Sequence, residues 1–138
     1  MNIEEILSQP GRTWTREKPA SDEEIDTLAS CARAKFPAAY LDLLRFSNGG
    51  EGPLRLAPLW FQLYSVEDCI RLCHNTEIIE RFPDFMFFGN NGGLESIAFD
   101  LRVGPPWPIV AVDQIAGSES AESIASDFPS FVSAIGLG

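Results

Sequence analysis

Hydrophobic and polar positions along this chain follow two periods. From Phe85 to Phe88 four apolar residues run without a break, which predicts a strand covered on both faces. Asn90, Asn91, Gly92 and Gly93 follow, and these residue types tolerate the positive φ of a tight reversal. Beyond them Glu95, Ile97, Phe99 and Leu101 share one parity and Ser96, Ala98, Asp100 and Arg102 the other, the period of a strand with one face buried. The pattern predicts a central β-hairpin over Phe85–Asp100, which the rest of the chain must cover. Short strands are predicted at Leu54–Leu56 and Trp60–Leu63. A β-branched run makes Ile109–Val112 a further buried strand, entered through Pro108.

Helical spacing accounts for most of the remainder. Asn2–Ser8 reads as a short helix stopped by Pro10 and Gly11, and the segment to Pro19 as a surface connection. Ser21 and Glu24 form a capping box, each side chain serving the other's backbone N–H, ahead of a stripe made by Ile25, Leu28, Ala29 and Ala32. A second helix starts at Pro37, where a missing N–H does no harm, runs through Tyr40, Leu41, Leu44 and Phe46, and stops at Asn48, Gly49 and Gly50. A third begins near Ser65, with Val66, Cys69, Ile70, Cys73 and Ile78 inward, and lasts until Pro83. With Ser126 as N-cap, Pro129 falls in the first turn of a closing helix, Asp127–Ile135, capped by Gly136.

The length of 138 residues fits one domain, 1–138, able to form a core without disulfides or metals. No run reaches the roughly 20 apolar residues of a membrane span, and the first residues lack the basic and apolar regions of a signal peptide, so the expected location is cytoplasmic. The net charge of −10 changes the picture more. After Arg81 a single basic residue, Arg102, faces seven acidic ones. Such a surface repels nucleic acid and attracts a basic protein partner, although acidity also serves solubility alone.

Candidate chemistry is sparse. Cys69, Cys73, His74 and the distant Cys31 are the soft metal ligands, but Cys69 and Cys73 lie on the expected apolar face, so core packing accounts for them and no metal site is expected. Adjacent helix residues diverge, which removes Cys73 and His74 as a nucleophile and base. Glu95, Asp100, Asp113 and Glu119 could pair as acid and base, yet among 20 acidic residues some such pair always exists. The glycines around Asn90 lie between strands and form no phosphate cradle. Loops presented by a rigid scaffold carry function. The candidate partner-binding residues are therefore Glu51, Asn90, Asn91, Glu95, Trp107, Asp113, Glu119 and Glu122, whereas Trp60 reads as core.

These pieces also carry a resemblance. Phe36-Pro37-Ala38-Ala39-Tyr40-Leu41-Asp42-Leu43-Leu44 followed by Asn48-Gly49-Gly50 resembles the signature of the SMI1/KNR4 family, or SUKH superfamily. Phe88-Gly89-Asn90-Asn91-Gly92-Gly93 before Glu-Ser-Ile-Ala-Phe-Asp, then Trp107-Pro108-Ile109-Val110, then Ile124–Phe128 with Phe131, are similar to its later strands and closing helix, over about residues 20–137. Phe36 departs from the Leu of many members. The resemblance implies a single α+β domain with a mixed or antiparallel central sheet of about five or six strands and helices packed around it. It implies no cofactor and a non-catalytic binding role. Bacterial members are mostly immunity proteins that neutralise a toxin, often a nuclease or deaminase, and fungal members are linked to cell-wall regulation. A regulatory or scaffold binding module is the second reading, and a hydrolase using acidic residues the third.

Overall fold

The computed structural model describes residues 2–138. Its helices are α1 (Ile3–Leu7), α2 (Asp22–Cys31), α3 (Ala38–Phe46), α4 (Val66–Cys73), α5 (Thr76–Arg81) and α6 (Phe128–Val132). Its strands are β1 (Thr15–Arg16), β2 (Gly50–Pro53), β3 (Trp60–Leu63), β4 (Phe85–Asn90), β5 (Glu95–Asp100), β6 (Ile109–Asp113) and β7 (Glu122–Ala125). Together the strands form one antiparallel sheet in chain order from β1 to β7. The architecture is a single α+β domain, with seven strands where the sequence predicts five or six. The two additional strands are its edges, β1 and β7, whose polar, mostly exposed residues leave no hydrophobic alternation to read.

The central hairpin forms where the pattern places it, with Met86 opposite Phe99 and Phe87 opposite Ala98. Strand β5 differs in being buried on both faces, because the small residues Ser96 and Ala98 lie beneath a second layer. One face of the sheet carries the main core. Tyr40 of α3 sits among Phe36, Phe88, Phe99 and Phe128 at ring-centroid distances of 4.8 to 5.8 Å, and α1, α2, α4 and α6 close over the same face. Burial raises the Tyr40 phenol well above its ordinary value and keeps it neutral beside the Cys69 sulfur, 3.4 Å away. The opposite face is covered only in part. There Phe82, Phe85, Phe87, Ala98, Val110 and Val112 pack beneath Leu72 and Ile78.

Local chemistry explains the boundaries. The Ser21–Glu24 capping box is formed, at 3.1 and 3.0 Å. The helix predicted from Ser65 to Pro83 is two helices, because Asn75 turns its side chain back to accept from the Ile78 N–H at 3.1 Å and starts α5. Asp127, not Ser126, caps the last helix, which ends at Val132. In α3 the inward residues are Tyr40, Leu43, Leu44 and Phe46, while Leu41 is only half-buried. Strand β2 precedes the predicted Leu54–Leu56, which retains one bridge, Leu54 to Ile135. Its glycines hide it from pattern reading. Gly50 has a φ of 105°, and a Cβ there would stand 2.4 Å from the Thr15 carbonyl oxygen, so β1 can pair only with a strand lacking that side chain.

Candidate partner-binding site

Antiparallel pairing decides which candidate residues meet. Glu51 lies opposite Gln62, Gln62 opposite Asn90, and Asn90 opposite Ser96, so these four share a row on the partly covered face. Glu51 Oε2 accepts from Gln62 Nε2 at 3.1 Å. At the end of the same strands, Glu95 lies opposite Asp113. Three connections converge at this end: the β2–β3 loop 54–59, the β4–β5 turn 91–94 and the β6–β7 segment 114–121, hereafter the loop end. Glu119 lies in the short 3₁₀ turn Ser118–Ser120 of the last connection, and Glu122 opens β7 as a strand residue. Trp107 stands apart, at the opposite end of the sheet.

The side chains at the loop end hold their positions through backbone bonds. Asn90 Oδ1 accepts from the Gly92 N–H at 2.7 Å and Asn91 Oδ1 from the Gly93 N–H at 2.9 Å, so both oxygens are committed to the turn. Gly92, with a φ of 80°, makes that reversal, and the Trp60 ring lies over it, 3.6 Å from where a Cβ would be. Asp113 Oδ1 accepts from the Ile115 and Ala116 N–H groups at 2.8 and 3.1 Å, and Ser120 Oγ from the Asp113 N–H at 2.8 Å. Arg81 donates to the Gln114 carbonyl at 2.7 Å and fastens the segment to α5.

Four apolar residues at this end escape the sequence reading. Trp60 is 38% exposed, Leu94 60%, Leu59 70% and Ile115 75%. The signal for Trp60 is in the alternation: Phe61 and Leu63 point into the core, so Trp60 and Gln62 point away from it. Leu94 and Ile115 each stand in a connection with a polar residue on one side only, Glu95 after Leu94 and Gln114 before Ile115. Leu59 has a φ of 73°, a conformation that costs a branched side chain on the order of 1–3 kcal/mol. Its N–H donates to Leu56 O at 2.8 Å and its carbonyl accepts from the Leu54 N–H at 3.0 Å.

The opposite end has a different character. Trp107 Nε1 donates to the Lys35 carbonyl at 3.2 Å, and the ring walls an apolar groove of about 530 Å³ with Phe36, Pro37 and Pro106. Asp100 accepts from Arg102 through both oxygens at 2.9 Å, and that hydrogen-bonded guanidinium holds the carboxyl below its usual range. Arg33 donates to the Pro83 and Phe85 carbonyls.

The thiols occupy the core. Burial pushes the Cys69 and Cys73 thiols up to about 12, so neither is a ready nucleophile at neutral pH. The cavity they line with Arg33, Phe36 and Ile78 holds about 30 Å³, the space of one water. Among the described residues no three His, Cys, Asp or Glu side chains converge as a metal site. A cleft of about 350 Å³ runs beside Asn48 and Gly49 and is lined by Glu17, Glu51 and Asp68. No described helix is long and apolar enough to cross a membrane.

What the loop end can do chemically is present carboxylates and an aromatic surface to another molecule. No curated protein matches the chain. Residues 19–134 match the sequence profile of the SMI1/KNR4 family (SUKH-1). That span includes the α3 signature, the central hairpin and all of the loop end, and the chain belongs to the SMI1/KNR4 family.

Proposed function

We propose that this chain is a cytoplasmic immunity protein that acts without catalysis, binding a cognate toxin of nuclease or deaminase type and occluding its active site. The observation that carries the reading is the set of carboxylates at the loop end of the sheet that, among the described residues, have no arginine or lysine partner, whereas Asp100 at the other end is paired with Arg102. Glu95 and Asp113 face the same side at the end of adjacent strands, with Glu119 in the next connection, and no lysine or arginine lies on β2 through β7. A nuclease must hold phosphates and so keeps a basic cleft, to which such a surface is electrostatically complementary. Membership of a family consistent with toxin immunity supports the same reading. The neighbouring reading frame, co-expressed in a sensitive host, tests it. Killing by the neighbour alone, rescue by this chain, and a stoichiometric complex that weakens in salt are the expected results. A harmless neighbour with no complex would leave a regulatory or scaffold module as the better description, and turnover of a small substrate lost on changing Glu95 or Asp113 would make the chain a hydrolase.

A further inference from the structure

The large exposed hydrophobic side chains are unevenly placed. Among the described residues they are Leu59, Trp60, Leu94, Val103 and Ile115, and all but Val103 belong to the loop end. Single exposed hydrophobics are ordinary, whereas several gathered on adjoining connections mark an interaction surface. The connections do adjoin. Extending the β3–β4 register places Trp60 against the turn at Gly92, and the Gln114 N–H donates to the Leu94 carbonyl at 3.1 Å, which sets Ile115 beside that turn.

We propose that the loop end is the docking surface itself, with Trp60, Leu94 and Ile115 as its apolar centre, and that its occupant is a basic protein face, that of the toxin. The inference rests on the immunity reading and adds the contact surface and its chemistry. Charge selects the occupant. Glu95 directly follows Leu94, Asp113 is separated from Ile115 by Gln114 alone, and Glu119 lies in the same connection as Ile115, so carboxylates share this end of the sheet with the apolar residues. The cations there are Arg55, in the β2–β3 loop, and Arg81, already bonded to Gln114 O. A second copy of this chain would set Glu95 and Asp113 against their own equivalents, and nucleic acid or an anionic lipid surface would be repelled. A protein with lysines or arginines around an apolar patch meets both features. The arrangement is that of an interface with an aromatic anchor inside a polar rim. Trp60 suits the anchor's role: one side of its indole rests on Gly92, and among the described residues its ring N–H has no protein acceptor.

The rival surface is the apolar groove beside Trp107. Its indole N–H is bonded to Lys35 O, and the charge beside it is cationic, so it offers a basic partner no complementarity. It serves as the control face.

The test measures affinity between this full chain and the product of the neighbouring reading frame. Trp60→Ala and the double variant Leu94→Ser with Ile115→Ser are each expected to weaken the complex about 30-fold or more. Val103→Ser and Trp107→Ala should stay within about threefold of the parent chain. Glu95→Lys with Asp113→Lys should slow association and reduce its salt dependence. Trp60, Leu94 and Ile115 are exposed whereas Glu95 and Asp113 are half-buried, and urea midpoints check that every variant remains folded. Amide exchange over 91–95 and 114–119 should slow in the complex. A complex of unchanged affinity in the loop-end variants, or one lost in Trp107→Ala, overturns the surface and leaves the immunity reading standing. No complex with the parent chain overturns both. Self-association of this chain that is abolished by Ile115→Ser also overturns the inference, since it assigns the face to a second copy.

Discussion

Each end of the sheet carries a tryptophan, and the two are held in opposite ways. Trp107 is hydrogen-bonded to the Lys35 carbonyl and half-buried against the main core, and the one charged residue lining the groove beside it is Lys35. Trp60 rests on a glycine, has no protein acceptor among the described residues, and lies at the end of the sheet where Glu95 and Asp113 also end their strands. The difference separates two uses of an aromatic side chain. One closes the space between a proline-rich loop and the start of α3; the other offers surface that the fold itself does not consume.

The largest expected effect tests whether the two ends share one cooperative unit. Phe88 packs against Tyr40, Phe99, Phe128 and Phe131 midway between them. Phe88→Ala should cost about 3–5 kcal/mol, the range of a buried aromatic truncation. Urea unfolding followed separately by fluorescence of variants retaining only Trp60 or only Trp107 should give coincident transitions shifted together. Transitions that part would show that the ends melt independently and would weaken the contrast drawn between them.

The tryptophans come next. Trp107→Ala removes a half-buried ring and its bond to Lys35 O, and the expected loss of stability is about 1–3 kcal/mol. Trp60→Ala should cost less than Trp107→Ala, at most about 1 kcal/mol, because its ring is more exposed and makes no hydrogen bond to lose among the described residues. Equal losses at both positions would mean that Trp60 is as much a part of the scaffold as Trp107.

Much of this division was legible in the residues, and what was not has physical causes. The central hairpin could be placed because an apolar run, a run of turn formers and an alternating segment follow in order. The capping box at Ser21 and Glu24 was legible because both partners lie within one turn. The edge strands β1 and β7 were not, since an edge is paired on one side only and Thr15, Arg16, Glu122 and Ser123 are exposed, leaving no apolar alternation. Strand β2 was displaced because Gly50 and Gly52 contribute close backbone approach in place of side chains. The candidate carboxylates could be named, but that Glu95 meets Asp113 is a matter of register, and that Trp107 lies far from them is a matter of topology. Trp60 reads as core from its residue type, whereas its parity with Gln62 turns it outward.

Charge distinguishes the ends further, with a smaller effect. At the Trp107 end Asp100 is held below its usual carboxylate range by hydrogen bonds from Arg102. A carboxyl lowered in the folded state contributes stability above its unfolded value near 4 and loses it as pH falls through the folded value. Arg102→Met should therefore destabilise by at most about 1 kcal/mol at pH 7, because the guanidinium is half-exposed, with the difference from the parent chain shrinking below about pH 4. Urea midpoints of both proteins at pH 7 and pH 3 measure it. A difference that persists undiminished at pH 3 would show that Arg102 acts by packing its guanidinium on Phe85, 5.1 Å from the ring centroid, and not by charge.

At the Trp60 end the charges have no such partner. Glu95 and Asp113 stand directly opposite on neighbouring strands, an arrangement that costs a sheet a few tenths of a kcal/mol up to about 1. Asp113 is accounted for by the turn it holds through the Ile115 and Ala116 N–H groups, whereas Glu95 supports no bond that its glutamine analogue would lose. Glu95→Gln should therefore raise stability by about 0.5 kcal/mol at pH 7 in low salt, and the gain should fade in 1 M salt as the repulsion is screened. The same variant should associate more slowly with the basic partner, since the removed charge belongs to the field that steers it. A sheet that tolerates repulsion between Glu95 and Asp113 while leaving Trp60 more than a third exposed at the same end keeps features that folding alone does not favour, and a variant more stable but slower to bind would tie those features to recognition. If Glu95→Gln instead destabilises the fold, the carboxylate is part of the scaffold and the two ends differ less than their tryptophans suggest.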